Sequence, residues 1–179
     1  MNMDNVASHG KTHGRLSEEL DALKAWTGKD QATLVFDTDT DGWDHGKFNE
    51  VLRRPSNAVI GITDKGDVFG GYVSVALKET DEWLRDDGQF VFSFFSHGRC
   101  DVPQRWMMKK DRENAGKDVI IWPTDNNEFI RFGNRISGYF KFNSRTDRSR
   151  IWYPSNRFNG LGDTVLTGQN KANFTTTRL

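Results

Sequence analysis

The chain has 179 residues, of which 28% are charged and 35% hydrophobic, with 25 Lys/Arg balancing 25 Asp/Glu. That length suits one ordinary domain, which buries about 70% of the surface its unfolded chain would expose and needs no metal or disulfide to hold it. Mean hydropathy is −0.72, no apolar run approaches the roughly 18 residues of a membrane span, and the single cysteine, Cys100, excludes an internal disulfide framework. The expectation is a folded protein of a reducing compartment, cytoplasmic with the nucleus as the alternative, without membrane insertion and without an apolar secretion signal at its polar start.

Residues 1–14 read as a disordered tail, and residues 15–179 as one domain. From Leu16, apolar residues recur at Leu20, Leu23 and Trp26, with Ser17 to cap the start and Gly28 to end it. This spacing predicts an amphipathic helix over 16–27, an N-terminal extension that covers one edge of the core or pairs with a partner helix. Ala32–Phe36 reads as a strand. Asp37 to Gly42 is an acidic turn, and a second helix follows through Phe48, Val51 and Leu52 until Pro55 stops it.

Asn57–Thr63 and Val68–Leu77 are predicted strands, joined by Asp64-Lys-Gly-Asp67 as a hairpin. Gln89–Phe95 is apolar on both faces, as an interior strand of a sandwich would be. Shorter strands are expected at 105–109, 119–122, 128–132, 138–142 and 151–153. Early helices and many short strands together indicate an α+β, β-rich class: a two-sheet antiparallel β-sandwich flanked by helices.

The net charge of zero conceals a gradient: residues 1–126 hold 16 Lys/Arg against 22 Asp/Glu, whereas 127–179 hold 9 against 3. Arg131, Arg135, Arg145, Arg148 and Arg150 lie in the basic part, with Phe140, Phe142, Trp152 and Tyr153 interleaved. Cations that meet phosphates and rings that stack on bases are what a nucleic-acid surface requires. The competing reading places these arginines on solvated strand edges, paired with the acidic half.

Asp37-x-Asp39-x-Asp41-Gly42 copies the first half of a calcium loop, because carboxylates at alternate positions can surround a hard cation. The glutamate that an EF-hand needs at its twelfth position is replaced by Phe48, so an EF-hand is excluded. A Ca2+ site of another kind and a plain helix-capping turn remain the two readings, the turn being preferred. Ser96-His-Gly-Arg-Cys100 sets an imidazole and a guanidinium beside the only thiol, and nearby cations lower a thiol pKa. A redox role for Cys100 is therefore weighed against an ordinary loop thiol. No nucleophile elbow, phosphate loop or His-Glu-x-x-His motif is present, so no catalytic residue and no cofactor are assigned.

Asp41-Gly-Trp43, the helix carrying Phe48, the run Val59–Ser74 with its Val68-Phe-Gly-Gly-Tyr72, and Phe90-Val-Phe-Ser-Phe94 resemble a TLDc domain. That is the module of the oxidation-resistance proteins and of their nuclear-receptor-coactivator and TBC relatives. The resemblance covers about residues 26–179, and Arg131-Phe-Gly133 and Thr167 to Thr175 match its later signatures. Two departures stand out: Asn134–Gly138 replaces a glycine-rich stretch, and the closing acidic-aliphatic strand is cut off at Leu179. The resemblance implies two antiparallel sheets with flanking helices, protection against oxidative stress and, as in several relatives, binding to the vacuolar proton-pumping ATPase. It brings no catalytic residues. Gly70 and Gly71 match its motif, where a bulge or a close approach between sheets would exclude a side chain. The leading expectation is thus a non-enzymatic protein-interaction domain. The alternatives are a nucleic-acid-binding regulator and a thiol-based peroxide activity at Cys100.

Overall fold

A computed structural model describes residues 13–109, 117–123, 127–134, 136, 138–144, 148–168 and 171–179. The expected tail thus lies outside the described residues up to residue 12. The chain divides into two units at residues 34 and 35. The first contains one helix, α1 (His13–Thr27), which starts before the expected residue 16, so that Ser17 lies within it. Its C-terminus is where the sequence places it. Gly28 adopts a left-handed φ of 67°, which lets its amide reach the Lys24 carbonyl at 2.9 Å.

The expected strand over Ala32–Phe36 does not form. Leu34 and Val35 are 56% and 55% exposed, and no strand among the described residues pairs with this run. An apolar run becomes a strand only when another backbone takes up its hydrogen bonds, which sequence alone cannot supply.

The second unit begins with two short helices, α2 (Thr38–Asp41) and α3 (His45–Leu52). Asp44 caps α3 by accepting the Lys47 amide at 3.1 Å. Phe48 and Leu52, four residues apart, point from α3 into the core, where Phe48 meets Phe129 edge-on at 5.0 Å.

Ten strands follow among the described residues: β1 (Asn57–Thr63), β2 (Val68–Val73), β3 (Phe90–Phe95), β4 (Gln104–Met107), β5 (Val119–Ile121), β6 (Glu128–Asn134), β7 (Gly138–Asn143), β8 (Ser149–Trp152), β9 (Lys171–Phe174) and β10 (Thr176–Arg178). They form two five-stranded sheets in the orders β10-β1-β2-β3-β4 and β5-β6-β7-β8-β9, with every pairing antiparallel. The sandwich expectation holds. The hairpin β1–β2 pairs Asn57 with Val73 through to Ile62 with Val68. β2 ends at Val73, short of the expected Leu77, because the Asp86 carboxylate takes the amide of Ser74 at 2.7 Å and so removes it from any ladder.

Register decides which side chains enter the core. From the first sheet come Val59, Phe69, Val73 and Val91; from the second, Ile130, Phe132, Phe140, Phe142 and Ile151. The rings nest tightly: Phe132 stacks on Phe140 at 4.9 Å, and Phe69 meets Phe142 at 5.7 Å and Phe174 at 5.4 Å. Space for them comes from glycines in the facing sheet. A side chain at Gly61 would strike the Phe142 ring, and one at Gly71 would strike Phe132.

Candidate functional site

Arg178, on the last strand, closes the acidic turn at 37–41. Asp37 caps α2 by accepting the Asp39 amide at 3.0 Å, and Asp41 accepts the Asp37 amide at 2.9 Å. Arg178 donates from Nε to Asp37 at 2.9 Å and from Nη2 to its second oxygen, and Nη1 reaches Asp39 at 3.1 Å. Lys47 lies 3.6 Å from Asp41. Burial alone would raise the Asp37 carboxyl, but the Arg178 hydrogen bond, the Asp39 amide and the Arg178 charge outweigh it and hold the group below its usual range. The arrangement gives the Ca2+ reading of Asp37, Asp39 and Asp41 no support: Asp37 and Asp39 face the chain's own guanidinium, and Asp41 faces the Asp37 amide and Lys47. Among the described residues no group of three His, Cys, Asp or Glu side chains is placed to hold a metal ion.

The loop after β3 separates the three groups that sequence sets side by side. Ser96 and Cys100 exchange backbone hydrogen bonds at 2.8 and 2.9 Å across a turn in which Gly98 takes a φ of 66°. The turn sends Cys100 inward and its neighbours outward. Asp67, buried at the end of the β1–β2 turn, accepts the His97 amide at 3.1 Å, His97 Nδ1 at 3.1 Å and Arg99 Nη2 at 3.0 Å. Arg99 also donates to the Val165 carbonyl at 3.2 Å. The imidazole and guanidinium therefore serve a carboxylate that sequence reasoning did not connect to them. Cys100 is 2% exposed and its thiol donates to the Val102 carbonyl at 3.1 Å. Burial pushes that thiol above its ordinary pKa, which disfavours the nucleophilic thiolate. The redox reading of Cys100 loses both its activating neighbours and its access.

The basic segment also splits. Arg131 is 3% exposed: its Nε lies 2.7 Å from Glu128 and its Nη2 donates to the same carboxylate at 2.8 Å. Its guanidinium carbon lies 5.4 Å from the centre of the Trp122 ring and 5.0 Å from that of Tyr139. Lys141 joins Glu128 at 2.7 Å, and the buried Arg157 binds Asp118. Phe140 and Phe142 are core residues, so they present no face to a base. Arg131 is thus removed from a nucleic-acid surface. Arg135 and Arg145 lie outside the described residues. Arg148 is exposed, and Arg150 is half-buried with its guanidinium 4.7 Å from the Trp152 ring. These two stay available to a ligand.

Gly70 and Gly71 sit mid-strand in β2, where a Cβ would strike the Val59 carbonyl and the Phe132 ring respectively. Their place is in the packing of strands and sheets.

A whole-domain comparison decides the family: the sequence model of the TLDc domain matches residues 12–176. The chain belongs to the TLDc domain family. The match begins earlier than residue 26, taking in α1, and spans both sheets. No curated protein matches the chain. No helix among the described residues of this TLDc domain is long and apolar enough to cross a membrane.

Proposed function

We propose that this TLDc domain is a non-enzymatic, protein-binding module of the oxidative-stress response or its regulation, working in the cytoplasm. The observation that carries the reading is the family match over 12–176, whose oxidation-resistance members give the biological setting. The side-chain chemistry is consistent with it. Several groups suited to acid–base work are held in internal pairs: Asp67 with His97 and Arg99, Asp37 with Arg178, Glu128 with Arg131 and Lys141. The vacuolar proton-pumping ATPase, bound by several relatives, is the first partner to test.

The experiment uses the whole chain as bait in a cell lysate, before and after peroxide, with subunits of that ATPase sought among the captured proteins. Peroxide consumption by the purified protein is measured alongside. A defined partner and no catalytic consumption support the reading. Capture of no specific partner under either condition, or turnover of peroxide that vanishes in Cys100→Ser, overturns it. A nucleic-acid-binding regulator is the second reading, favoured by Arg150 held against the Trp152 ring. A mobility shift at low salt that is lost when Arg148 and Arg150 become alanine would establish it.

A further inference from the structure

We infer that the open edge of β9 is the docking site, where an extended acidic segment of a protein partner adds as a sixth strand to the second sheet. The inference rests on the protein-binding reading above and says where that binding occurs.

A sandwich of two five-stranded sheets has four edge strands, here β10, β4, β5 and β9. An edge strand presents unpaired N–H and C=O groups, and a folded chain normally covers them. A neighbouring segment bonds along β5, and at the chain end of β4 and of β10. The Met107 carbonyl at the end of β4 accepts the Asn159 amide at 2.9 Å, and Lys109 donates to the Arg157 carbonyl at 2.8 Å. Along β5, Leu84 accepts from Asp118 at 3.0 Å and donates to Val119 at 3.0 Å, while Asp81 donates to Ile121 at 2.8 Å. Beside β10, the Thr38 amide bonds the Leu179 carbonyl at 3.0 Å, and Arg178 is held by Asp37 and Asp39.

β9 differs. It pairs with β8 from Ser149–Phe174 to Trp152–Lys171, and among the described residues its backbone bonds to no other segment. Thr175, beyond its end, bonds toward Asp64 after β1, on the other sheet's side.

Charge selects the occupant. Arg131, Lys141, Arg150 and Asn173 are successive cross-strand neighbours from β6 to β9. Glu128 neutralises the Arg131 end of this row, but no carboxylate among the described residues pairs with Arg150, the cation nearest β9. Arg148, exposed and one residue before β8, adds a second cation at the same end. Main-chain bonds would supply the affinity, and these cations would select acidic side chains.

The test uses the full chain and a labelled peptide of about seven residues that alternates glutamate and valine. Binding is read by fluorescence anisotropy, and amide hydrogen exchange locates it. The expected result is saturable binding, with new protection at Lys171–Phe174. Affinity should weaken about tenfold in Arg150→Glu. A strand added at an edge uses only one of its own two edges. Two peptides, each N-methylated on one alternate set of amides, should therefore differ, one binding and the other not. A lysine–valine peptide should not compete. The inference is overturned by equal binding of both methylated peptides, by protection on another edge, or by no saturable binding. It is equally overturned if a single-stranded oligonucleotide binds this surface more tightly than the peptide, or if a second copy of the chain occupies the edge. A partner captured from lysate whose binding survives Arg150→Glu and excess peptide would refute the β9 site while leaving the protein-binding reading intact.

Discussion

Gly71 offers the sharpest test of how the two sheets meet. In Gly71→Ala the new Cβ would stand 2.6 Å from both Cδ1 and Cζ of Phe132 and nearer still to Cε1. The ring cannot easily yield, since Phe132 stacks on Phe140 at 4.9 Å with an interplanar angle of 20°. Gly71 lies outside the left-handed region, so the backbone itself tolerates alanine and the cost is steric. Overpacking a filled core costs about 1–3 kcal/mol, against which alanine gains about 0.4–1 kcal/mol by restricting the unfolded chain. The expected net loss is about 1–2 kcal/mol, seen as a Tm lower by roughly 3–6 °C for a chain of this size. Urea unfolding should give the same loss through a lower midpoint at unchanged slope. Phe132→Leu removes the ring edge that collides, so in the double variant the two losses should fall short of their sum by about 1 kcal/mol or more. Additivity within about 0.5 kcal/mol, or no measurable loss in Gly71→Ala alone, would refute the packing argument.

Three further outcomes follow from the ion pairs and the thiol. Asp37 is depressed in the folded state, so the unfolded chain binds its proton more readily and stability from this group rises with pH. It is complete above the unfolded value near 4 and fades as pH falls below it. Asp37→Asn should accordingly be less stable than the native protein at pH 7, with a gap that closes below about pH 4; a gap unchanged by acid would contradict the assignment. Arg157→Leu leaves Asp118 buried without its guanidinium and should cost about 3–5 kcal/mol in urea unfolding, most of it recovered when Asp118→Asn is added; an unaltered midpoint would count against the pair. Native Cys100 should react with a thiol probe at neutral pH at least about tenfold more slowly than free glutathione and match it once the chain is unfolded. A native rate above that of glutathione would reinstate an activated thiol.

Legibility followed the range of the interactions. The β1–β2 hairpin, the two-faced apolar β3 and the Gly28 stop to α1 are written in residues that touch within a few positions, so periodicity and turn chemistry announce them. The candidate sites were less legible. Asp37 meets a guanidinium 141 positions away, and Asp67 meets His97 and Arg99 about thirty positions away. His97, Arg99 and Cys100 are near neighbours in the chain, yet the Gly98 turn gives the first two to a carboxylate and buries the third. Arg131 and Arg150 read alike in a basic run, but β6 and β8 set one against Glu128, Trp122 and Tyr139 and the other against Trp152, with no carboxylate partner among the described residues.

By itself the amino-acid order determined the class of fold, the family and most of the elements, because alternation, capping and glycine placement act locally and survive in any tertiary setting. Only the folded arrangement decided which apolar run became a strand and which charges neutralise one another. Those outcomes depend on the register of pairing between distant segments, and a backbone hydrogen bond or an ion pair exists only when both partners arrive at the same place.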